Sequence, residues 1–178
     1  MTWSLVALLG YFFAAISAVF DKYLLSDRIP TPVVYAFFVS LFSLVPMVLI
    51  PFGFQYTTWY STWTLLLSGM LFVYGLIAFY TAVKQHEISR VAPLVGTVVS
   101  LVAFLAVFLP WMPGEQTVEV WYIAALLCLI VGGLLISFDL PFHKGEHISK
   151  LVLVAGLLMG VSLLLLKEGY VGSNFVSG

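Results

Sequence analysis

The sequence predicts an all-α, polytopic membrane protein with six apolar helices. Three observations predict it. Hydrophobic residues make up 62% of the chain and charged residues 8%, with a mean hydropathy of +1.12, far too little polar surface for a water-soluble domain of 178 residues. Apolar stretches of membrane-crossing length recur, the clearest being Val91 to Gly114, 24 residues without a charged side chain, or about 36 Å as a helix against a hydrocarbon core of about 30 Å. Turn-forming or charged segments separate these stretches.

Taken in order, helix 1 covers about Trp3 to Leu25, with a small-residue face of Gly10, Ala14, Ser17 and Ala18 that lets another backbone approach closely. Asp21 and Lys22 lie near its far end, before the polar turn Ser26 to Pro30. Helix 2 starts after Thr31 at Pro32, carries Tyr35, Ser40 and Ser43, and runs to about Leu49 with a kink expected at Pro46. Pro51 to Ser61 reads as an uncharged loop whose Tyr56, Trp59 and Tyr60 suit the headgroup level. Helix 3 spans about Thr62 to Lys84, with Ser68, Tyr74 and Thr81 along it. The short link Gln85 to Ser89 makes helices 3 and 4 antiparallel neighbours. Helix 4 is about Val91 to Pro110; Pro93 is expected in its first turn, where a missing N–H is little loss. Gly96, Thr97, Ser100 and Ala103 form a small, mildly polar stripe expected to face other helices or a wet cavity, since lipid offers a hydroxyl no partner. Helix 5 is about Val118 to Phe138, a polar loop covers 139–149, and helix 6 runs from about Lys150 to Leu166.

The segment A-V-K-x-x-E-x-S-R-V-A-P-L, then an apolar helix, then G-E-Q, resembles the EamA repeat of the drug/metabolite transporter superfamily. Ala82, Lys84, Glu87, Ser89, Arg90, Ala92, Pro93, Gly114 and Glu115 carry the likeness. It covers Trp3 to about Phe138 as one repeat, residues 1–138, and resumes at Ile148 in a second, truncated repeat over 150–178. The segment Pro110 to Pro113 departs from it, standing where the family moves straight from helix to Gly-Glu. A shift of 145 residues places Ser17 on Ser162 and Lys22 on Lys167, in agreement with a repeat of five helices whose second copy is inverted. The chain is therefore expected to be a fragment of a ten-helix carrier, or a half that needs a second copy.

The resemblance implies a carrier that moves a small metabolite or drug-like solute across the plasma membrane, the inner membrane of the cell, by alternating access. Helices 1 to 4 would line its pathway and helix 5 would lie outside. Pathway candidates are Ser17, Asp21, Lys22, Tyr35, Tyr74, Thr81, Thr97, Ser100 and Lys167. A charge within a membrane span costs about 2.5–3.5 kcal/mol at the centre and less near the ends, so Asp21 and Lys22 either contact solute or protons, or lie where the lysine snorkels to headgroups. Lys167 and Glu168, expected just after helix 6, pose the same choice. The hydroxyls of Tyr74, Thr81, Thr97 and Ser100 either line a cavity or bond across a dry interface. Lys84, Glu87 and Arg90 read as an interfacial cluster, with Glu87 and Arg90 at pairing distance along a helix. Gly156 and Gly160 permit close helix packing.

Charge gives an orientation. Lys22, Arg28, Lys84, Arg90, Lys144 and Lys150 fall on one side, which the positive-inside rule makes cytoplasmic, with an external amino terminus. The resemblance implies a cytoplasmic amino terminus instead.

Other chemistries find little support. A net charge of −1 gives no basic patch for nucleic acid. Cys128 is the single cysteine, so no disulfide or cysteine metal site is expected. His143, Glu146 and His147 spell a zinc-protease pattern, but in a short loop behind Pro141 rather than on a helix that aligns ligands. No phosphate-binding loop, nucleophile–base pair or cofactor motif is present, and the chain is not expected to be an enzyme or to hold a metal or cofactor. Its partners are the lipid bilayer, a solute, and a second half or copy. The alternative reading is a non-transporting membrane subunit packed against a larger partner.

Overall fold

In the computed structural model the described residues are 2–27, 31–45, 48, 58–107, 120–137 and 150–170. They form six helices: α1 (Thr2–Asp27), α2 (Pro32–Phe42), α3 (Trp59–Gln85), α4 (Ile88–Val107), α5 (Val120–Ser137) and α6 (Lys150–Tyr170). The protein is an all-α membrane protein. Among the described residues four spans are long and apolar enough to cross a bilayer, Leu5–Ser26, Trp59–Gln85, Ile88–Ala106 and Lys150–Tyr170, while Pro32–Phe42 and Ile123–Ile136 are apolar but shorter.

Several helix ends differ from expectation. Helix α2 stops at Phe42 instead of continuing to Leu49. Its last turn tightens, with the Leu44 N–H donating to the Leu41 carbonyl at 3.1 Å and the Ser43 hydroxyl to the Ser40 carbonyl at 2.6 Å. A serine hydroxyl that bonds backbone competes with the helix, and the residue before a proline avoids helical geometry; Pro46 itself lies outside the described residues. Trp59, Tyr60 and Ser61 open α3 rather than ending a loop. Trp59 and Trp63 then stack edge to face one turn apart, with ring centroids 5.4 Å apart.

Helix α4 begins at Ile88, so Pro93 is inside it rather than in the first turn. The Ser89 carbonyl there has no N–H to receive from Pro93, a loss tolerated in membrane helices when neighbours adjust. Helix α6 continues to Tyr170, which brings Lys167 and Glu168 into its last turns rather than beyond it.

Close approaches fix how the helices run. A Cβ on Gly75 would meet Met159, and one on Gly169 would meet Leu65. Ser68 bonds Ser162 between them. Low numbers on α3 therefore meet high numbers on α6, and the two helices are antiparallel. Gly156 faces Val98 and Gly160 faces Val102, so α4 and α6 are parallel. Gly133 of α5 faces Thr97 and the Pro93 carbonyl of α4. Helix α6 thus sits against both α3 and α4, and α5 packs on α4. Glycines at these contacts let backbones close in, which supplies packing where lipid removes the hydrophobic drive between helices.

The buried cluster gathers at one end of the bundle. It joins Leu25 of α1, Tyr35 and Ala36 of α2, Ala78, Tyr80, Ala82 and Val83 of α3, Val91 and Val95 of α4, and Val152 and Ala155 of α6. Helix α1 joins it only at its last turns: from Leu5 to Phe20 no residue is buried, whereas Leu25 is fully enclosed.

Candidate functional site

The last turns of α1 enter this buried end between α2 and α3. Asp21 and Lys22 are adjacent in sequence and so point about 100° apart around a helix. That divergence sends one to each neighbour. The Tyr35 hydroxyl of α2 donates to Asp21 Oδ1 at 2.5 Å. The Tyr35 ring meets Tyr80 of α3 edge to face, centroids 4.8 Å apart at 83°, and only 6% of Tyr35 and 4% of Tyr80 remain exposed. A carboxylate, a phenol and a second aromatic ring therefore tie three helices together.

Lys22 turns to the carboxyl end of α3. Its ammonium donates to the Val83 carbonyl at 2.6 Å and to the His86 carbonyl at 2.9 Å. The last carbonyls of a helix have no N–H of their own helix to accept. The His86 N–H takes the Ala82 carbonyl at 2.9 Å, and Lys22 supplies the next one. A cation there also opposes the negative end of the helix dipole. Lys22 is thus a cap delivered by a different helix.

The other predicted residues lie apart from this junction. Ser17 is exposed on α1. Tyr74 is 64% exposed on α3, on the outer surface. Thr81 is half-buried and its hydroxyl donates to the Ile77 carbonyl of its own helix at 2.6 Å. Thr97 is buried, donates to the Pro93 carbonyl at 2.8 Å, and faces Gly133. Ser100 is half-buried, whereas Gly96 faces open space. The stripe on α4 therefore divides: Thr97 meets α5, and Gly96 points outward. Lys167 is exposed at the far end of α6.

At the α3–α4 turn, Glu87 and Arg90 pair at 3.8 Å, the glutamate exposed and the arginine partly so, and Lys84 lies exposed one turn before. An exposed pair of this kind contributes at most about 1 kcal/mol. Lys22, Lys84, Arg90 and Lys150 all stand at the end of the bundle where the buried cluster lies. Arg28, Lys144, Glu115, Tyr56 and the histidine pattern 143–147 fall outside the described residues.

Three partners escaped the sequence reading. Tyr80 carried no signal beyond an aromatic residue near a helix end. The carbonyls that hold Lys22 are backbone and leave no trace in residue type. Ser68 and Ser162 face each other across α3 and α6, each 2% exposed. The Ser68 hydroxyl donates to the Ser162 carbonyl at 2.8 Å and the Ser162 hydroxyl to the Ser68 carbonyl at 2.9 Å. The repeat comparison had pointed to Ser162 only as an echo of Ser17.

No family model, curated protein or solved structure matches the chain.

Proposed function

We propose that the protein is a carrier of a small solute, working by alternating access in the plasma membrane, and that it comprises one five-helix repeat plus the first helix of an inverted second. The observation that carries this reading is the opposed direction of α1 and α6. The carboxyl end of α1 meets the carboxyl end of α3 through Lys22, and α3 meets the amino end of α6. A repeat with an odd number of helices puts its next copy into the membrane upside down, as many secondary carriers do. The likeness of residues 82–93 to the EamA repeat supports the same reading. An inverted-repeat pathway is built from two repeats, so the proposed working unit pairs the six helices of the described residues with a second half or a second copy. The clustering of Lys22, Lys84, Arg90 and Lys150 makes their end the cytoplasmic one by the positive-inside rule.

One observation favours a non-transporting membrane subunit instead. The buried Ser68 and Ser162 hydroxyls bond carbonyls across α3 and α6, as in a dry helical interface, and those of Thr81 and Thr97 are taken up by carbonyls of their own helices. Reconstitution into liposomes separates the two. A carrier gives saturable flux of at least one solute from a panel of amino acids, amines, nucleosides and drug-like cations. A subunit gives none across the panel.

A further inference from the structure

Helix α1 is fastened to the rest of the protein by one turn. Its apolar stretch from Leu5 to Phe20 buries no residue, whereas the next residues hold three separate attachments. Lys22 bonds two carbonyls at the carboxyl end of α3, Asp21 accepts from Tyr35 of α2, and Leu25 sits fully enclosed in the cluster. The two polar attachments are charge-assisted, the stronger kind of hydrogen bond, and both lie at the basic end. A helix held by α2 and α3 at one end, and uncovered by the described helices along the rest, can swing about that end or be released from it.

The geometry points to a latch: Lys22, clasping the carboxyl end of α3, holds α1 against α3 and closes the basic end of the protein, and its release opens that end. This rests on the carrier reading for its purpose, since alternating access needs a closure at each end of the pathway, but not for its geometry. It assigns Lys22 a role as a positioning residue, acting through backbone carbonyls rather than on solute. Asp21 and Tyr35 form the second catch of the same latch, joining α1 to α2. Because the acceptors are carbonyls, any donor of similar reach with a retained charge works in place of the lysine, whereas a neutral amide holds them less well.

The test uses the full chain in open membrane sheets, where both faces are reachable, with Cys128→Ala and a reporter Val83→Cys. Val83 is fully buried behind the latch. Its reaction with a water-soluble maleimide is expected to be slow with Lys22 present, faster by about tenfold or more in Lys22→Gln, and slow again in Lys22→Arg. Equal rates in Lys22 and Lys22→Gln would overturn the latch. If Lys22→Gln does not accumulate in membranes, Tyr35→Phe serves, because it removes the second catch and leaves the lysine. A smaller rise in rate is then expected, and no rise refutes the idea. Labelling and flux are read separately. Faster labelling without flux in the parent protein keeps the latch and removes the carrier, while flux with unchanged labelling does the reverse.

Discussion

The serine pair between α3 and α6 makes a prediction whose arithmetic comes from its geometry. Each hydroxyl donates to the carbonyl of the other residue, at 2.8 and 2.9 Å, while the two hydroxyl oxygens stand 3.2 Å apart. Both residues are buried, and alanine keeps the Cβ, so a Ser→Ala change removes a hydrogen bond with almost no change in packing. Interhelical hydrogen bonds in membrane proteins are worth about 0.6 kcal/mol on average and about 1.7 kcal/mol at most. Ser68→Ala and Ser162→Ala are each expected to cost about 0.6–1.7 kcal/mol. The double variant distinguishes this arrangement from a hydroxyl-to-hydroxyl bond. Since each acceptor is a carbonyl that survives substitution of its own residue, the two losses are nearly independent. The coupling energy is expected to lie at the low end for residues in contact, about 0.5 kcal/mol, and below either single cost. Equilibrium unfolding in lipid bicelles by steric trapping measures all three variants. Single costs near zero would deny the pair. A double variant no worse than either single one would show that the hydroxyls bond each other and not the backbone.

Two further predictions follow from packing and from the junction at α1. Gly156→Ala is expected to destabilise by about 1–3 kcal/mol, because the new Cβ meets Val98 Cβ at 2.5 Å with the Val95 carbonyl at 3.2 Å behind it, whereas Gly10→Ala, with nothing within 4 Å, is expected to be neutral or stabilising by up to about 1 kcal/mol; the same unfolding assay reads both, and equal effects would contradict the close seat of α6. Tyr35→Phe is expected to cost about 1.5–3 kcal/mol, since it strips a charged, half-buried acceptor of its donor, and Asp21→Asn less, because an amide oxygen still accepts from Tyr35; the reverse order in thermal denaturation would put the carboxylate outside the junction.

How far the sequence reveals this molecule depends on what each feature leaves in residue type. Apolar runs bounded by charge and proline carry their own length, so six helices and the antiparallel turn at Gln85 to Ser89 were readable. Ends set by hydrogen bonds were less so. Helix α2 stops early where Ser43 bonds the Ser40 carbonyl, and a serine in an apolar run gives no sign of doing that. Trp59 and Tyr60 look like headgroup aromatics wherever they stand, and at the start of a helix they keep that character. Asp21 and Lys22 stood out as charges in lipid, and Tyr35 as a polar ring on α2. What they bond to did not stand out, since Lys22 grips carbonyls and Tyr80 is one aromatic among many. The pairing of Ser68 with Ser162 required knowing that α6 lies along α3, a contact between residues 94 apart in sequence that no local pattern encodes. Gly156 and Gly160 were legible as places of close approach although their partners Val98 and Val102 were not, whereas Gly10, read the same way with Ala14 and Ser17, is exposed and meets nothing within 4 Å.

The central claim is that α1 and α6 cross the membrane in opposite directions, with the ends of α1 and α3 and the start of α6 on one face. Single cysteines at Ser26, Gln85, Lys150 and Tyr170, each in a Cys128→Ala background, test it with an impermeant thiol reagent on sealed vesicles of known sidedness. Ser26, Gln85 and Lys150 are expected to react from one face and Tyr170 from the other. If Ser26 and Lys150 react from opposite faces, the helices do not run as described here, and the inverted repeat falls with them.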